Sequence, residues 1–276
     1  QAACAAPSGM VSDNSDCDDA AQATNPGGTD LPGDGIDQDC SGTDEQPSFY
    51  LGDLTFTTNA AINAFCNSYS AVYGSLNVVG STTLSDLSAL SCLQSVYGAL
   101  DIRGVELTSV SLPNLNFVQG TVDIASTSAT SLDFPALTSV EGTLYIEDHS
   151  QATSADFSAL TNVSGTLSVR QNGFETLSLA NLAGVGRQLT VRDNTALTTF
   201  DMPNLTSIGR GVQVEGNDSL QSLQLPGWAT VGGYVEIINN PALTQLDISA
   251  ITSAPLGIIV EENDVLTGLD LSQVTT

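Results

Sequence analysis

A repeat of 22–24 residues runs from Gly74 to the end of the chain and constrains its fold more than any other feature. Each copy carries apolar residues two and four positions after its first residue, as Leu189 and Val191 do in the copy that begins at Arg187. Nine copies at so regular a period indicate a solenoid, whose coils bury their apolar sides against one another. The copies begin at Gly74, Gly98, Gly120, Gly142, Gly165, Arg187, Arg210, Gly233 and Leu256.

Two further apolar sets follow in each copy, as Leu223 and Leu225 do before Val231. Alternation with a period of two is typical of a strand with one buried face, and no apolar run has the 3.6-residue period and length of a long helix. We therefore predict a mainly β fold, a parallel β-solenoid of about nine coils of ~23 residues over residues 74–276.

One position of the repeat is asparagine in the last five copies, and His149, the only histidine, occupies it in an earlier copy. Stacked asparagine side chains can satisfy backbone groups of neighbouring turns, so we interpret this column as structural and His149 as a turn residue, with no catalytic residue predicted. The asparagines are Asn172, Asn194, Asn217, Asn240 and Asn263.

Residues 48–73 read as an N-terminal cap that covers the first coil. The segment from Phe49 to Phe56 alternates like one strand, and Ala60 to Cys66 reads as a short helix after a capping threonine. Because Cys66 lies in the cap and Cys92 in the first coil, we expect a disulfide between them, with free buried thiols as the alternative.

The charge of the chain excludes several partners. It has 31 acidic residues against 5 arginines, no lysine and a net charge of −26, which opposes binding to nucleic acid or anionic lipid. No apolar run is long enough to span a bilayer. Residues 1–11 form a leader whose Ala2-Ala3-Cys4 is similar to the end of a bacterial lipobox, so Cys4 is a candidate lipid anchor and the one membrane attachment that we expect. The alternative is an unpaired cysteine in a flexible tail.

Residues 12–47 form an acidic head that contains ten of the 31 acids. Neighbouring carboxylates repel one another, and a hard cation that takes six to eight oxygens relieves that repulsion. Asp37-x-Asp39-x-Ser41-Gly42 copies the start of a calcium loop, although Ser48 replaces the acid that an EF-hand needs at its twelfth position. A disordered acidic leader is the alternative. The candidate metal ligands are Asp13, Asp16, Asp18, Asp19, Asp34, Asp37, Asp39, Ser41, Asp44 and Glu45.

Cys17 and Cys40 each lie inside an acidic run of this head, so a disulfide between them would bring both runs to one site. The order Asp-Cys-Asp-Asp, Asn-Pro-Gly and Asp-Gly-Ile-Asp-x-Asp-Cys-x-Gly-x-x-Asp-Glu resembles the MopE-type metal-binding motif of secreted bacterial proteins. The third cysteine usual in that family is missing here, and the lead-in is shorter. One branch of the family binds copper, but the head contains no His or Trp, which favours Ca²⁺.

The repeats and the cap resemble a second family, the receptor L-domain-like repeats of receptor ectodomains and cell-surface proteins. The likeness lies in Gly-x-Leu-x-Ile, then Asn-x-x-Leu-x-x-Leu-x-Leu-Pro-x-Leu, then Val-x-Gly, and covers about residues 50–276. It implies a right-handed β-solenoid that binds proteins or glycans, without catalytic residues.

The fifth position after each repeat start points outward and contains three of the five arginines. We expect Glu147 to pair with Arg170, and Arg192 with Glu215, across adjacent strands. The functional alternative is a flat binding platform with aromatic rings nearby. Its candidate ligand-binding residues are Tyr145, Glu147, Arg170, Arg192 and Tyr234.

These features favour a secreted or surface-anchored, non-enzymatic binding or adhesion protein on the outer surface of a bacterium. We expect it to have a calcium-stabilised head and a protein or glycan ligand. The alternatives are a structural cell-envelope or fibre component, and a polysaccharide-acting β-helix enzyme. No capping sequence follows the last coil, so we also expect end-to-end stacking there or a chain that continues.

Overall fold

The structure is a computed structural model that describes residue 40 and residues 48–275. Parallel sheets stack as a β-solenoid of about nine turns, about 23 residues apart, which confirms the predicted fold class. By its contacts the chain divides into the units Gln1–Phe49 and Tyr50–Thr276. The domain limits drawn from the sequence and the handedness of the solenoid stay predictions.

Sheet 1 is the widest of the sheets, because its strands are mostly four residues long and ten of them pair in parallel within the described residues. Successive coils align without offset, so that Leu167 pairs with Leu189 and Arg170 with Arg192. The strands are Leu54–Phe56, Leu76–Val79, Leu100–Gly104, Val122–Thr127, Leu144–Glu147, Leu167–Arg170, Leu189–Arg192, Val212–Glu215, Val235–Ile238 and Ile258–Glu261.

Two further sides complete each coil. Sheet 2 is the side that follows sheet 1 along the chain, and it consists of a four-stranded and a three-stranded part: Val110–Ser111, Ser131–Asp133, Ser154–Asp156, Thr176–Ser178, then Thr199–Asp201, Ser222–Gln224 and Gln245–Asp247. Sheet 3 comes last in each coil and has nine short strands: Phe49–Leu51, Ala71–Tyr73, Ser95–Val96, Phe117–Val118, Ser139–Val140, Asn162–Val163, Gly184–Val185, Ser207–Ile208 and Thr230–Val231.

The core is one continuous and mainly aliphatic column between these sheets. The inward residues of sheet 1, such as Leu189 and Val191, are fully buried, as the period of two predicts. Phe134 and Phe157 stack in adjacent coils, with ring centroids 5.0 Å apart. At about 25 cal/mol per Å² of apolar surface removed from water, this column is the main source of stability.

The predicted asparagine ladder is confirmed. The Oδ1 atom of Asn217 accepts hydrogen bonds from the backbone N and the Nδ2 of Asn194, at 3.1 and 3.2 Å. Its Nδ2 donates to the Val191 carbonyl of the previous coil at 3.0 Å. Asn194, Asn217 and Asn240 are fully buried. Their side chains therefore supply hydrogen bonds to backbone groups that water cannot reach.

His149 extends the ladder towards the N-terminus and is a turn residue, as predicted. Its ring is fully buried, with Nε2 3.0 Å from the carbonyl of Ile124 and Nδ1 2.8 Å from Oγ1 of Thr127. Nε2 therefore carries the proton, and Nδ1 accepts from the threonine hydroxyl. Burial lowers the pKa of His149 from its ordinary value, which keeps the ring neutral.

The corner before sheet 1 requires very close contact between coils. A Cβ atom built on Gly142 would lie 2.4 Å from the carbonyl carbon and oxygen of Gly120 in the previous coil. No side chain fits in that space, which explains why glycine begins so many repeats.

The cap differs from its prediction in one respect. The segment from Phe49 to Phe56 is two strands, Phe49–Leu51 in sheet 3 and Leu54–Phe56 in sheet 1, because Gly52 at φ +115° turns the chain between them. The helix Asn59–Cys66 begins after Thr58, whose side chain accepts from the backbone N of Ala61.

The helix is held to the solenoid by packing and by a covalent bond. Ile62 and Phe65 are its buried residues. The expected disulfide joins Cys66 to Cys92, which fixes the helix to the first coil.

Candidate functional site

The outer face of sheet 1 is the candidate binding surface. Its side chains form columns, because the strands pair with their neighbours without offset, apart from one register shift after Arg103. We call the outward position at the end of each strand the arginine column. Its members are Val79, Arg103, Ala125, Glu147, Arg170, Arg192, Glu215, Ile238 and Glu261.

The three arginines of this column differ in how far carboxylates neutralise them. The Nε of Arg103 lies 2.6 Å from Oδ1 of Asp101, and its Nη2 contacts Oδ2 of Asp123. The hydrogen bond with Asp101 raises the pKa of Arg103 most. Burial raises the pKa of Asp123, and the Arg103 charge opposes that shift. Arg103 is therefore held by two acids.

Arg192 pairs with Glu215, as predicted: its Nη2 lies 3.1 Å from Oε1 of Glu215, the one carboxylate partner that Arg192 has within residues 48–275. Gln213 holds the other oxygen of that carboxylate, with Nε2 3.0 Å from Oε2. About 30% of the surface of both the Arg192 and the Glu215 side chain is exposed, so solvent weakens this pair.

The predicted pair between Glu147 and Arg170 is wrong. The two residues are register partners, yet no nitrogen of Arg170 lies within 4.0 Å of the Glu147 carboxylate. The hydroxyl of Ser168 donates to Oε1 of Glu147 at 2.8 Å instead. Among the described residues Arg170 thus has no carboxylate within 4.0 Å, and its neighbours in the column are Glu147 on one side and a second cation, Arg192, on the other.

Tyr234 reaches two coils back across the face. Its hydroxyl accepts from Nε2 of Gln188 at 2.7 Å. The ring passes over Gly211 in the intervening coil, where a Cβ atom would lie 2.8 Å from the ring. Burial raises the pKa of Tyr234, and the charge of Glu236 adds to that shift. Gln188 was not predicted from the sequence, although Gln188, Gly211 and Tyr234 share one column of the repeat.

Tyr145 lies next to Ser168 in the column beside the arginine column, and 36% of its surface is exposed. Its strand is four coils from that of Tyr234, about 19 Å at the usual strand spacing. The structure therefore places Tyr145, Glu147, Arg170 and Arg192 in three adjacent coils. The hydroxyl of Tyr234 contacts Gln188, which comes just before the strand of Arg192, so the structure does not bring Tyr234 into this group.

A shallow groove of about 330 Å³ on sheet 3 is the main alternative surface. Gly186, Gly209, Gly232, Ser207 and Thr230 are among its lining residues. None of its lining residues is charged. The groove therefore has a concave shape but no charged side chain among its lining residues that would orient an ionic ligand.

The acidic head lies almost wholly outside the described residues, and so do all ten candidate metal ligands and Cys4. Cys40 is described: it is disulfide-bonded and has a positive φ of 57°. Its pairing with Cys17 stays a prediction. Within the described part of the chain, no three His, Cys, Asp or Glu side chains are grouped so that they could hold a metal ion.

The structure contains no helix within residues 48–275 that has the length and apolar character of a membrane span.

Comparison with known proteins adds one finding. The Cu-binding MopE family model, described as "Putative metal-binding motif", matches residues 16–46. These residues coincide with most of the acidic head, and the match supports metal binding there without identifying the metal. No curated protein and no solved structure matches the chain.

Proposed function

We propose that this chain is a secreted or surface-anchored, non-enzymatic binding protein of a bacterium. Its acidic head holds Ca²⁺, and the outer face of sheet 1 binds a ligand on a cell surface. The observation that carries the proposal is the match of residues 16–46 to a metal-binding motif, in a chain whose later residues form a solenoid with a ten-stranded sheet.

Calcium is the proposed ion because the head offers oxygen ligands. Ten acids lie between Asp13 and Glu45, and residues 12–47 contain no His. Calcium takes six to eight oxygens in flexible geometry, whereas copper prefers imidazole and sulfur ligands. Cys40 does not offer a thiolate ligand, because it is disulfide-bonded.

A binding role for the solenoid rests on its shape and its side chains. The resemblance of residues 50–276 to receptor L-domain-like repeats favours a protein or glycan ligand. Catalysis is not part of the proposal, because the single His149 is buried and both of its ring nitrogens have partners in the ladder.

A glycan array probed with the full chain tests the proposal, once in calcium and once in EDTA. We expect binding to a defined set of glycans, and labelling of the chain by antibody on intact producing cells. Absence of surface labelling together with an array at background would overturn the proposal. Self-association into fibres, measured by light scattering, would favour the structural alternative.

A further inference from the structure

Arg187 and Arg210 lie next to each other at the corner that joins sheet 3 to sheet 1. They begin successive coils, and the backbone N of Arg210 donates to the carbonyl of Arg187 at 2.9 Å. Both residues are exposed. In the described part of the chain, neither guanidinium has a carboxylate within 4.0 Å. The corner therefore presents two neighbouring positive charges that no acid of residues 48–275 contacts.

The surroundings of this pair are uncharged as well. Residues 184–190 and 207–213, which contain the two arginines, include no acid, and neither do residues 162–168 of the coil before them. The nearest acids in the register of the coils are Glu141, two coils before Arg187, and Glu236, in the coil after Arg210. At about 4.8 Å per coil and 3.3 Å per residue, their backbones are about 10 Å away. Unlike the arginine column, this corner has no interleaved carboxylates.

One change in the repeat accompanies both the arginine pair and the groove of sheet 3. In earlier coils the glycine that begins the copy has no room for a side chain, as Gly142 shows. In the later coils the tight position falls one residue earlier, since Cβ atoms on Gly186 and Gly209 would lie 2.1 Å from carbonyl oxygens of the previous coil. Arginine follows each of these glycines, and both glycines line the groove. The pair thus adjoins a concave surface of about 330 Å³, near the lower end of the range for small-molecule sites.

Tyr234 supplies an aromatic ring on the other side of the pair. Gln188 and Gly211 directly follow the two arginines in the chain. The ring of Tyr234 passes over Gly211, and its hydroxyl accepts from Gln188, so the ring is already held in place beside the pair. A group that is held in place before binding loses little freedom when a ligand arrives.

We propose that Arg187 and Arg210 bind the oxyanion group, carboxylate or sulfate, of an acidic sugar whose ring lies against Tyr234. A guanidinium can donate two parallel hydrogen bonds to such a group. The hydroxyls of Ser207 and Thr230 in the groove can bind hydroxyls of further sugar units. The net charge of −26 repels a polyanion, so the ligand carries isolated acidic groups. This inference goes beyond the proposed function, because the site lies between the two sheets and uses no residue of the arginine column.

Isothermal titration of the full chain tests the inference, in EDTA to keep the head's metal out of the measurement. The probes are methyl β-glucuronide, glucose 6-sulfate, methyl β-glucoside, which is a neutral sugar, and acetate, which is an anion without a ring. We expect at least one of the two acidic sugars to bind, and the neutral sugar and acetate to bind at least about tenfold more weakly. The comparison of the two acidic sugars shows whether the site takes a carboxylate or a sulfate.

Variants then locate the site. Arg187→Gln and Arg210→Gln each weaken binding of the acidic sugar about tenfold or more, and Arg187→Lys gives an intermediate loss because it keeps the charge but not the paired donors. Tyr234→Ala also weakens binding but leaves its salt dependence unchanged, because the ring contacts the sugar and not the charge. Arg103→Gln is the matched control: it removes the same charge from an arginine that two acids hold, and leaves binding within twofold of wild type. Thermal melts confirm that each variant is folded.

Four results would overturn the inference: no binding of either acidic sugar, equal binding of the acidic and the neutral sugar, equal losses in Arg103→Gln and Arg187→Gln, or unchanged binding in Tyr234→Ala. Each of them leaves the proposed function standing, since array binding and surface labelling of the intact chain are measured separately.

Discussion

Replacement of Asn217 by alanine tests the idea that the buried ladder holds the coils in register. The change removes two hydrogen bonds that the Asn217 Oδ1 accepts from Asn194, and three that its Nδ2 donates, to Val191, Glu215 and Asn240. The backbone N–H of Asn194 then has no acceptor. A buried donor left unsatisfied costs about 1–3 kcal/mol, and each lost hydrogen bond about 0.5–1.5 kcal/mol.

We therefore expect Asn217→Ala to lower the free energy of unfolding by about 3–6 kcal/mol. Asn204→Ala is the control, because it removes one exposed hydrogen bond, from Nδ2 to the Ala180 carbonyl at 2.8 Å, where water can substitute. Urea titration followed by circular dichroism compares the midpoints, since a repeat array need not unfold in one step. Hydrogen exchange at the Asn194 amide reports the local effect. Equal midpoints for the two variants would refute the reasoning.

Two further predictions concern His149 and Gly142. The pKa of His149 is lowered in the folded state, so below about pH 6.5 the unfolded chain takes up a proton that the folded chain resists. Stability then falls by about 1.4 kcal/mol per pH unit, until pH reaches the folded pKa. His149→Asn should remove this part of the loss, and identical urea midpoint shifts between pH 7.5 and 5.0 in both proteins would contradict the assignment. Gly142→Ala should lower the melting temperature sharply because its Cβ meets backbone, whereas Gly268→Ala, with open space around it, should not; similar melts for the two would refute the close-contact argument.

The repeat period predicted the solenoid because each coil imposes the same demand on its residues. Leu189 and Val191 must face inward in every copy, and a side chain such as Asn217 can work only if its counterpart recurs one coil later. Such constraints are visible in the sequence before any contact is known. The Cys66–Cys92 bond followed from the same logic, since the cap needs an attachment to the first coil.

The repeat pattern could not predict where a single turn falls or which of two neighbouring side chains forms a hydrogen bond. Alternation continues through Gly52, so the sequence pattern does not reveal that the chain turns from sheet 3 to sheet 1 there. Glu147 lies beside both Arg170 and Ser168, and the rotamer that selects Ser168 depends on packing. Tyr234 can contact Gln188 only because Gly211, which lies between them in the same column, has no side chain. This glycine was visible in the sequence and could have indicated the contact.

A calcium titration of the full chain tests most directly the proposal that the acidic head binds Ca²⁺. Isothermal calorimetry on chelator-treated protein should show saturable Ca²⁺ binding. The binding should be lost in an Asp37→Asn/Asp39→Asn double variant and kept in Asp218→Asn/Asp264→Asn, which removes the same charge from exposed acids of the solenoid. A parallel titration with Cu²⁺ should show weaker binding. Ca²⁺ binding that is absent, equal in the two double variants, or weaker than Cu²⁺ binding would contradict the account.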